Sequence, residues 1–187
     1  MITLRDVRIS DHVRALDFDP EITSIASQPF WLYWTGERGR RRHAPDYFAR
    51  RADGTGVVID VRADDRIEAA DAEAFAVTAA ACARLGWEFR RAGEIDPVLG
   101  GNVRWLARYR HPRCAGRAGV TRRLREAFAG SAPLLAGAAQ AGDPLAALPA
   151  LFHMMWCQEL VADVTAERLG PATLVRTADT REGGDRR

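Results

Sequence analysis

Residues 46–62, DYFARRADGTGVVIDVR, leave the least freedom of any part of this chain. Val57, Ile59 and Val61 alternate with Val58, Asp60 and Arg62, the two-residue period of a β-strand. Asp53-Gly54 supplies turn chemistry just before that run. The segment therefore predicts an antiparallel hairpin with strands at 46–51 and 56–62. Val57, Ile59 and Val61 should bury against a helix, and Asp60 and Arg62 should share the opposite face. Asp46 opens the neighbouring strand directly after Pro45, so the hairpin should bring its carboxylate close to that of Asp60.

The flanking sequence builds outward from this hairpin. Leu4, Val7, Val13 and Leu16 recur at helical intervals over residues 4–17, and Pro20 ends that helix by disfavouring helical backbone at Asp19. The β-branched and aromatic run ITSIASQPFWLYW predicts strand, with Phe30, Leu32 and Trp34 on one face. TGERGRRR reads as a polar turn. The Ala-rich run from Asp71 predicts a helix with Asp71 as N-cap and Gly86 at its left-handed C-terminus. WEFRRAG reads as a strand, and residues 96–110 as a helix opened by Pro97. This order predicts an α/β fold, a mixed sheet with helices packed on it.

Composition shifts near HPRCAGRAG, which places a domain boundary between an N-terminal domain at 1–112 and a module at 117–178. That module reads as three helical stretches followed by two short β-like pieces, VADV and ATLVR. Three helices and a small hairpin are the layout of a winged helix-turn-helix. Residues 179–187 read as a frayed polar tail.

Charge is informative in its distribution more than in its sum. The net charge is only +2, yet all 27 basic residues are Arg. Arg40, Arg41 and Arg42 form one cluster beside His43, and Arg122 and Arg123 belong to another. Guanidinium groups grip phosphate in a forked geometry, so these positions are candidate DNA contacts. A genome rich in G and C that replaces Lys by Arg everywhere is the competing explanation. A lone His such as His43 is more often incidental, and Trp31, Tyr33 and Trp34 more often pack than stack on bases. Three cysteines at unpaired spacings argue against a disulfide framework or zinc ribbon. No apolar run spans a membrane and no signal-peptide layout opens the chain, so a soluble, cytoplasmic protein with no membrane partner is expected.

Two carboxylates converging at strand ends are what a hard cation such as Mg²⁺, or Mn²⁺ as a substitute, takes together with phosphate and water. Asp46 and Asp60 are the candidate metal ligands. The bland alternative is a solvated hairpin in which Arg62 neutralises one of them.

The segments LDFDPEITSIASQPFWLYW and RRHAPDYFARRADGTGVVIDVR resemble the N-terminal domain of TnsA-like endonuclease subunits of heteromeric transposases. NVRWLARYRHPR and LFHMMWCQELVADV resemble later segments of the family, so the likeness extends over nearly the whole chain. The resemblance implies a restriction-endonuclease-like fold and a PD-(D/E)-x-K type site. Asp46 would match the metal-binding aspartate and Asp60 the second acidic or amide position, while Arg62 stands where the family has lysine. It further implies nicking of one DNA strand at transposon ends beside a DDE-type transposase partner, with an ATPase regulator as a further partner. Two positions depart from the pattern. The family's first-helix glutamate falls near Ile9, with Asp6 and Asp11 the nearest acids, and a longer native N-terminus is an open alternative. Arg62 keeps its proton and can hold a phosphate but cannot act as general base. A Mg²⁺-dependent DNA endonuclease is the leading expectation. A catalytically degenerate scaffold that binds DNA or partners is its first rival, and a DNA-binding regulator driven by the C-terminal module is the second.

Overall fold

The computed structural model describes residues 4–36 and 39–178, with side chains from residue 11 onward. The tail expected at 179–187 and the side chains of Asp6 and Ile9 lie outside the described residues. The chain forms two compact units that meet at Ile95/Asp96.

The first unit opens with α1, Leu4–Phe18, which closes before Pro20 as expected. Strands follow at Ile22–Ser27 (β1), Leu32–Gly36 (β2), Gly39–His43 (β3), Tyr47–Arg51 (β4) and Gly56–Val61 (β5). Helix α2, Ala69–Arg84, then leads to β6, Glu88–Ala92. The main sheet has the order β1-β4-β5-β6, antiparallel at β1/β4 and β4/β5 and parallel at β5/β6. Parallel pairing needs a long crossover, and α2 provides it.

β2 and β3 stand apart as a separate two-stranded ribbon. This corrects the polar-turn expectation for residues 35–42. Gly39, with φ +96°, tightens the connection, and the ladder pairs Tyr33 with Arg42 and Trp34 with Arg41. A strand made of successive arginines shows no apolar alternation, so only its aromatic partner strand betrays it. Gln28, in the left-handed region with φ +45°, separates β1 from β2.

Helix α2 starts two residues earlier than expected. Glu68 is its N-cap, and Asp71 is the third helical residue, accepting from the Glu68 amide in a reciprocal capping box. Gly86 closes the helix at φ +69°, with Trp87 N–H reaching the Cys82 carbonyl.

The second unit contains α3 (Pro97–Leu106), α4 (Ala118–Ala127), β7 (Ala132–Pro133), α5 (Leu134–Gln140), α6 (Pro144–Trp156), β8 (Leu160–Val161) and β9 (Leu174–Thr177). Its three short strands run antiparallel in the order β7-β9-β8. Leu124, Phe128, Leu151, Met154, Leu160 and Val175 fill its core. Gly137 of α5 lets that helix approach Phe128, because a β-carbon there would meet the ring at 2.2 Å.

The division falls earlier than the 112–117 boundary read from composition: α3 belongs with the second unit, where Trp105 meets the Phe152 ring of α6 and Asn102 reaches the loop between β8 and β9. Asn102 is 2% exposed. Its Nδ2 donates to the carbonyls of Val164 and Glu167, and its Oδ1 accepts from the Leu169 amide. One amide group thus satisfies three backbone groups of the loop between β8 and β9. Among the described residues, no helix is long and apolar enough to cross a membrane.

Replacing Asn102 by Ala strands those three backbone groups at once. We expect a loss of about 3 kcal/mol in chemical denaturation. Asn102→Asp should be no better tolerated, since its carboxylate accepts from Leu169 but cannot donate and would face the Val164 and Glu167 carbonyls.

Candidate active site on the second face of the sheet

Strand β5 is the inner strand of the sheet, and its residues Gly56 to Asp60 are all buried. On one face Val57 and Ile59 join Tyr47 and Ala49, with Val13 and Leu16 of α1 packed against them, as the alternation predicts. The other face is covered as well, which removes the solvated-hairpin alternative for Asp60. Val58 is fully buried and Asp60 is only 3% exposed. Flanking strands satisfy the backbone of β5, and α2 and the ribbon lie over the side chains. Phe75 of α2 packs on Phe89 of β6 and meets the His43 ring edge-on.

An ionised carboxylate at that depth requires a partner. His43, the last residue of β3, supplies it: Nε2 lies 3.0 and 2.9 Å from the two Asp60 oxygens. A carboxylate only accepts, so Nε2 carries the proton in this pair. The hydrogen bond to Asp60 raises the His43 pKa above 6.5, outweighing the opposing effect of burial. The histidine read from sequence as a possible phosphate neighbour therefore sits on the candidate metal ligand.

Asp46 immediately precedes the last rung of the β4–β5 ladder, Tyr47 opposite Ile59. Continued by one residue, that register sets Asp46 across from Asp60 on the same face, the cross-strand relationship that brings side chains together. Asp46 Oδ2 accepts from the Val61 amide at 2.7 Å, and its carbonyl accepts from Gln28 N–H at 3.0 Å. The negative charge of Asp46 also bears on His43 and on His12 of α1.

His12 was not singled out by sequence. Its Nε2 donates to the Gly93 carbonyl at 3.0 Å, and burial lowers its pKa below 6.5. Asp11, one of the two acids proposed to complete the site from α1, pairs with Arg14 at 2.8 Å. Arg62, at the mouth of β5, binds Asp71 at 3.0 Å while its buried Nε has no acceptor among the described residues. Arg91 closes the same corner, donating to the Arg62 carbonyl and pairing with Asp64.

The remaining sequence candidates divide by face. Arg40 and Arg42 lie exposed on the outer side of the ribbon, whereas Arg41 lies on its half-buried inner side with Trp34 and His43. Trp34 is held by a 2.7 Å bond from its indole N–H to Glu73. In the second unit Arg122 is exposed beside Glu126, and Arg123 Nε donates to the Ala141 carbonyl at 2.6 Å. Among the described residues, no group of three or more His, Cys, Asp and Glu side chains is arranged to hold a metal ion.

The His43–Asp60 pair has a signature in the imidazole titrations. Following the ring protons by NMR should place His43 above 6.5 and His12 below it, and Asp60→Asn should bring His43 down. The two histidines also act oppositely on stability. The His43 contribution is present below pH 6.5 and fades as pH rises through its folded pKa. The buried neutral His12 contributes above pH 6.5 and loses its contribution on acidification. A His43 titration indifferent to Asp60→Asn would contradict the pair.

No protein-family model matches this chain, and no curated protein of similar sequence matches it either.

Proposed function

We propose that the chain is a DNA-cutting subunit of a transposition system, a TnsA-like endonuclease that nicks one strand at transposon ends. The observation that carries this reading is the placement of Asp46 and Asp60 across adjacent strands of a sheet with the order α1-β1-β4-β5-α2-β6. That arrangement supports a restriction-endonuclease-like unit, with the β2–β3 ribbon inserted between β1 and β4. The second unit runs helix, strand, helix, helix, strand, strand through α4, β7, α5, α6, β8 and β9, an order that supports a winged-helix-like module.

The donors present suit Mg²⁺ or Mn²⁺ in kind: two carboxylates, with phosphate and water to complete the shell. Asp46 and Asp60 would hold the cation, which requires His43 to release Asp60. Bound there, the cation would supply water activation and stabilisation of the charge that builds on a cleaved phosphodiester. Arg62 cannot take a proton, but its Nε lacks an acceptor among the described residues, and a phosphate oxygen would provide one. Arg122 is available for DNA, whereas Arg123 already serves the end of α5. A DDE-type transposase would cut the other strand, and an ATPase regulator is a further partner.

The His43–Asp60 bond favours a second reading, a scaffold that keeps the fold and its DNA and partner surfaces but no longer cuts. Calorimetric titration with Mn²⁺ separates the two. For the nuclease, the wild type binds saturably, Asp46→Ala and Asp60→Asn abolish binding, and His43→Gln tightens it several-fold. If neither the wild type nor His43→Gln binds, the scaffold reading replaces the nuclease.

A further inference from the structure

The β2–β3 ribbon presents two chemically different faces. Leu32, Trp34, Arg41 and His43 point inward and are half-buried, holding the ribbon to α2 and to Asp60. Tyr33, Thr35, Arg40 and Arg42 point outward and are exposed. Tyr33 is 71% exposed and the neighbouring Trp31 54%. Neither Arg40 nor Arg42 forms an ion pair among the described residues, although Arg51, Arg62, Arg90 and Arg91 of the same unit all do. A depression of about 590 Å³ is lined by Tyr33, Trp34, Thr35, Arg40, Arg41 and Arg42. Arg41 contributes a second buried guanidinium N–H without an acceptor among the described residues. Ion pairing therefore does not account for the outward placement of Arg40 and Arg42.

We infer that the outer face of this ribbon is a docking surface for double-stranded DNA, with Arg40 and Arg42 on the phosphates. The inference rests on the reading of the chain as a DNA-cutting subunit and names the element that delivers the duplex. A two-stranded ribbon fits the roughly 12 Å width of the major groove. Arg40 and Arg42, two residues apart on one face, stand about 7 Å apart along the strand, so both reach along one backbone. Arg42 stacks 4.7 Å from the Trp31 ring centroid, which orients its fork and leaves its in-plane donors available. That same stacking covers a face of Trp31, which weighs against a single strand threading over free aromatic rings. The ribbon also ends in His43, so DNA held on its outer face lies on the element that contacts Asp60.

The test uses the full chain and a labelled 30-base-pair duplex of mixed sequence, with one of its strands alone as a second probe, over a salt series. The expected result is duplex binding that Arg40→Gln/Arg42→Gln weakens at least tenfold. The slope of log affinity against log salt should fall in magnitude by about two, the loss of two phosphate contacts. Arg84→Gln, removing one charge from the end of α2, should change affinity less than twofold. Both ribbon arginines are exposed, and an unchanged near-ultraviolet dichroism spectrum would confirm that the double variant is folded. Duplex binding unaffected by the double variant overturns the inference while leaving the DNA-cutting reading intact. Preferential single-strand binding that Tyr33→Ala removes overturns the duplex assignment. No binding of either probe by the wild type also overturns it, and the Mn²⁺ titration then judges the cutting reading independently.

Discussion

A carboxylate buried in the middle of a sheet has to be paired, and the first unit is organised around that requirement. Asp60 sits on an inner strand with both faces covered, where an unpaired ionised carboxylate would cost several kcal/mol even after relaxation. The imidazole of His43 meets the requirement, and by doing so it fixes where the ribbon lies. Trp34 on the same inner face bonds Glu73 of α2, and Phe75 of α2 meets the His43 ring. The ribbon, α2 and the strand end are therefore one packed assembly. Arg62 to Asp71 and Arg91 to Asp64 extend it to the start of α2.

That assembly constrains the chemistry available. A cation at Asp60 would compete with His43 for the same two oxygens, so metal affinity and the anchoring of the ribbon would be opposed. Arg62 sharpens the opposition. Lysine at that position could lose its proton and act as a base, whereas a guanidinium stays charged and adopts a binding role. Its partner Asp71 is also part of the α2 capping box, so moving Arg62 onto a phosphate would loosen the helix start. Any ligand that recruited Arg62 or Asp60 would draw on the contacts that hold their surroundings together.

Much of this architecture can be read along the chain because local chemistry and tertiary demand agree there. Asp53-Gly54, the Val57–Ile59–Val61 alternation and Gly86 each announce their element, and the structure has them. Strand β3 could not be read, because GRRRH has no apolar period and owes its strand to a ladder with aromatic residues earlier in the chain. Burial of Asp60 was hidden for a related reason. Alternation tells which face a residue takes but not whether that face is covered, and the cover here comes from α2 and from the unread strand. His12 gave no signal, since a histidine off the apolar stripe of its helix reveals its place only when a distant carbonyl, that of Gly93, accepts its hydrogen bond. The boundary at Ile95/Asp96 was likewise invisible to composition, because α3 joins the second unit through distant partners, Trp105 on Phe152 and Asn102 on a loop more than sixty residues ahead.

Buried polar groups in the two units differ in how completely they are satisfied, and that difference separates scaffold from site. Asn102 has every bond it needs: two donors and an acceptor meet three backbone groups, and nothing is left for a ligand. In the first unit the accounting does not close. Among the described residues, Arg62 and Arg41 each carry a buried Nε–H with no acceptor, and buried groups of this kind are rare enough to require a reason. Both belong to guanidinium groups, whose natural complement is a phosphate or carboxylate. Both lie in the unit that carries the Asp46–Asp60 pair, one at the mouth of β5 and one on the ribbon's inner face. An anionic oxygen is the kind of acceptor that either guanidinium lacks. The incomplete network is thus the physical reason to look for function on this side of the sheet rather than in the well-satisfied second unit.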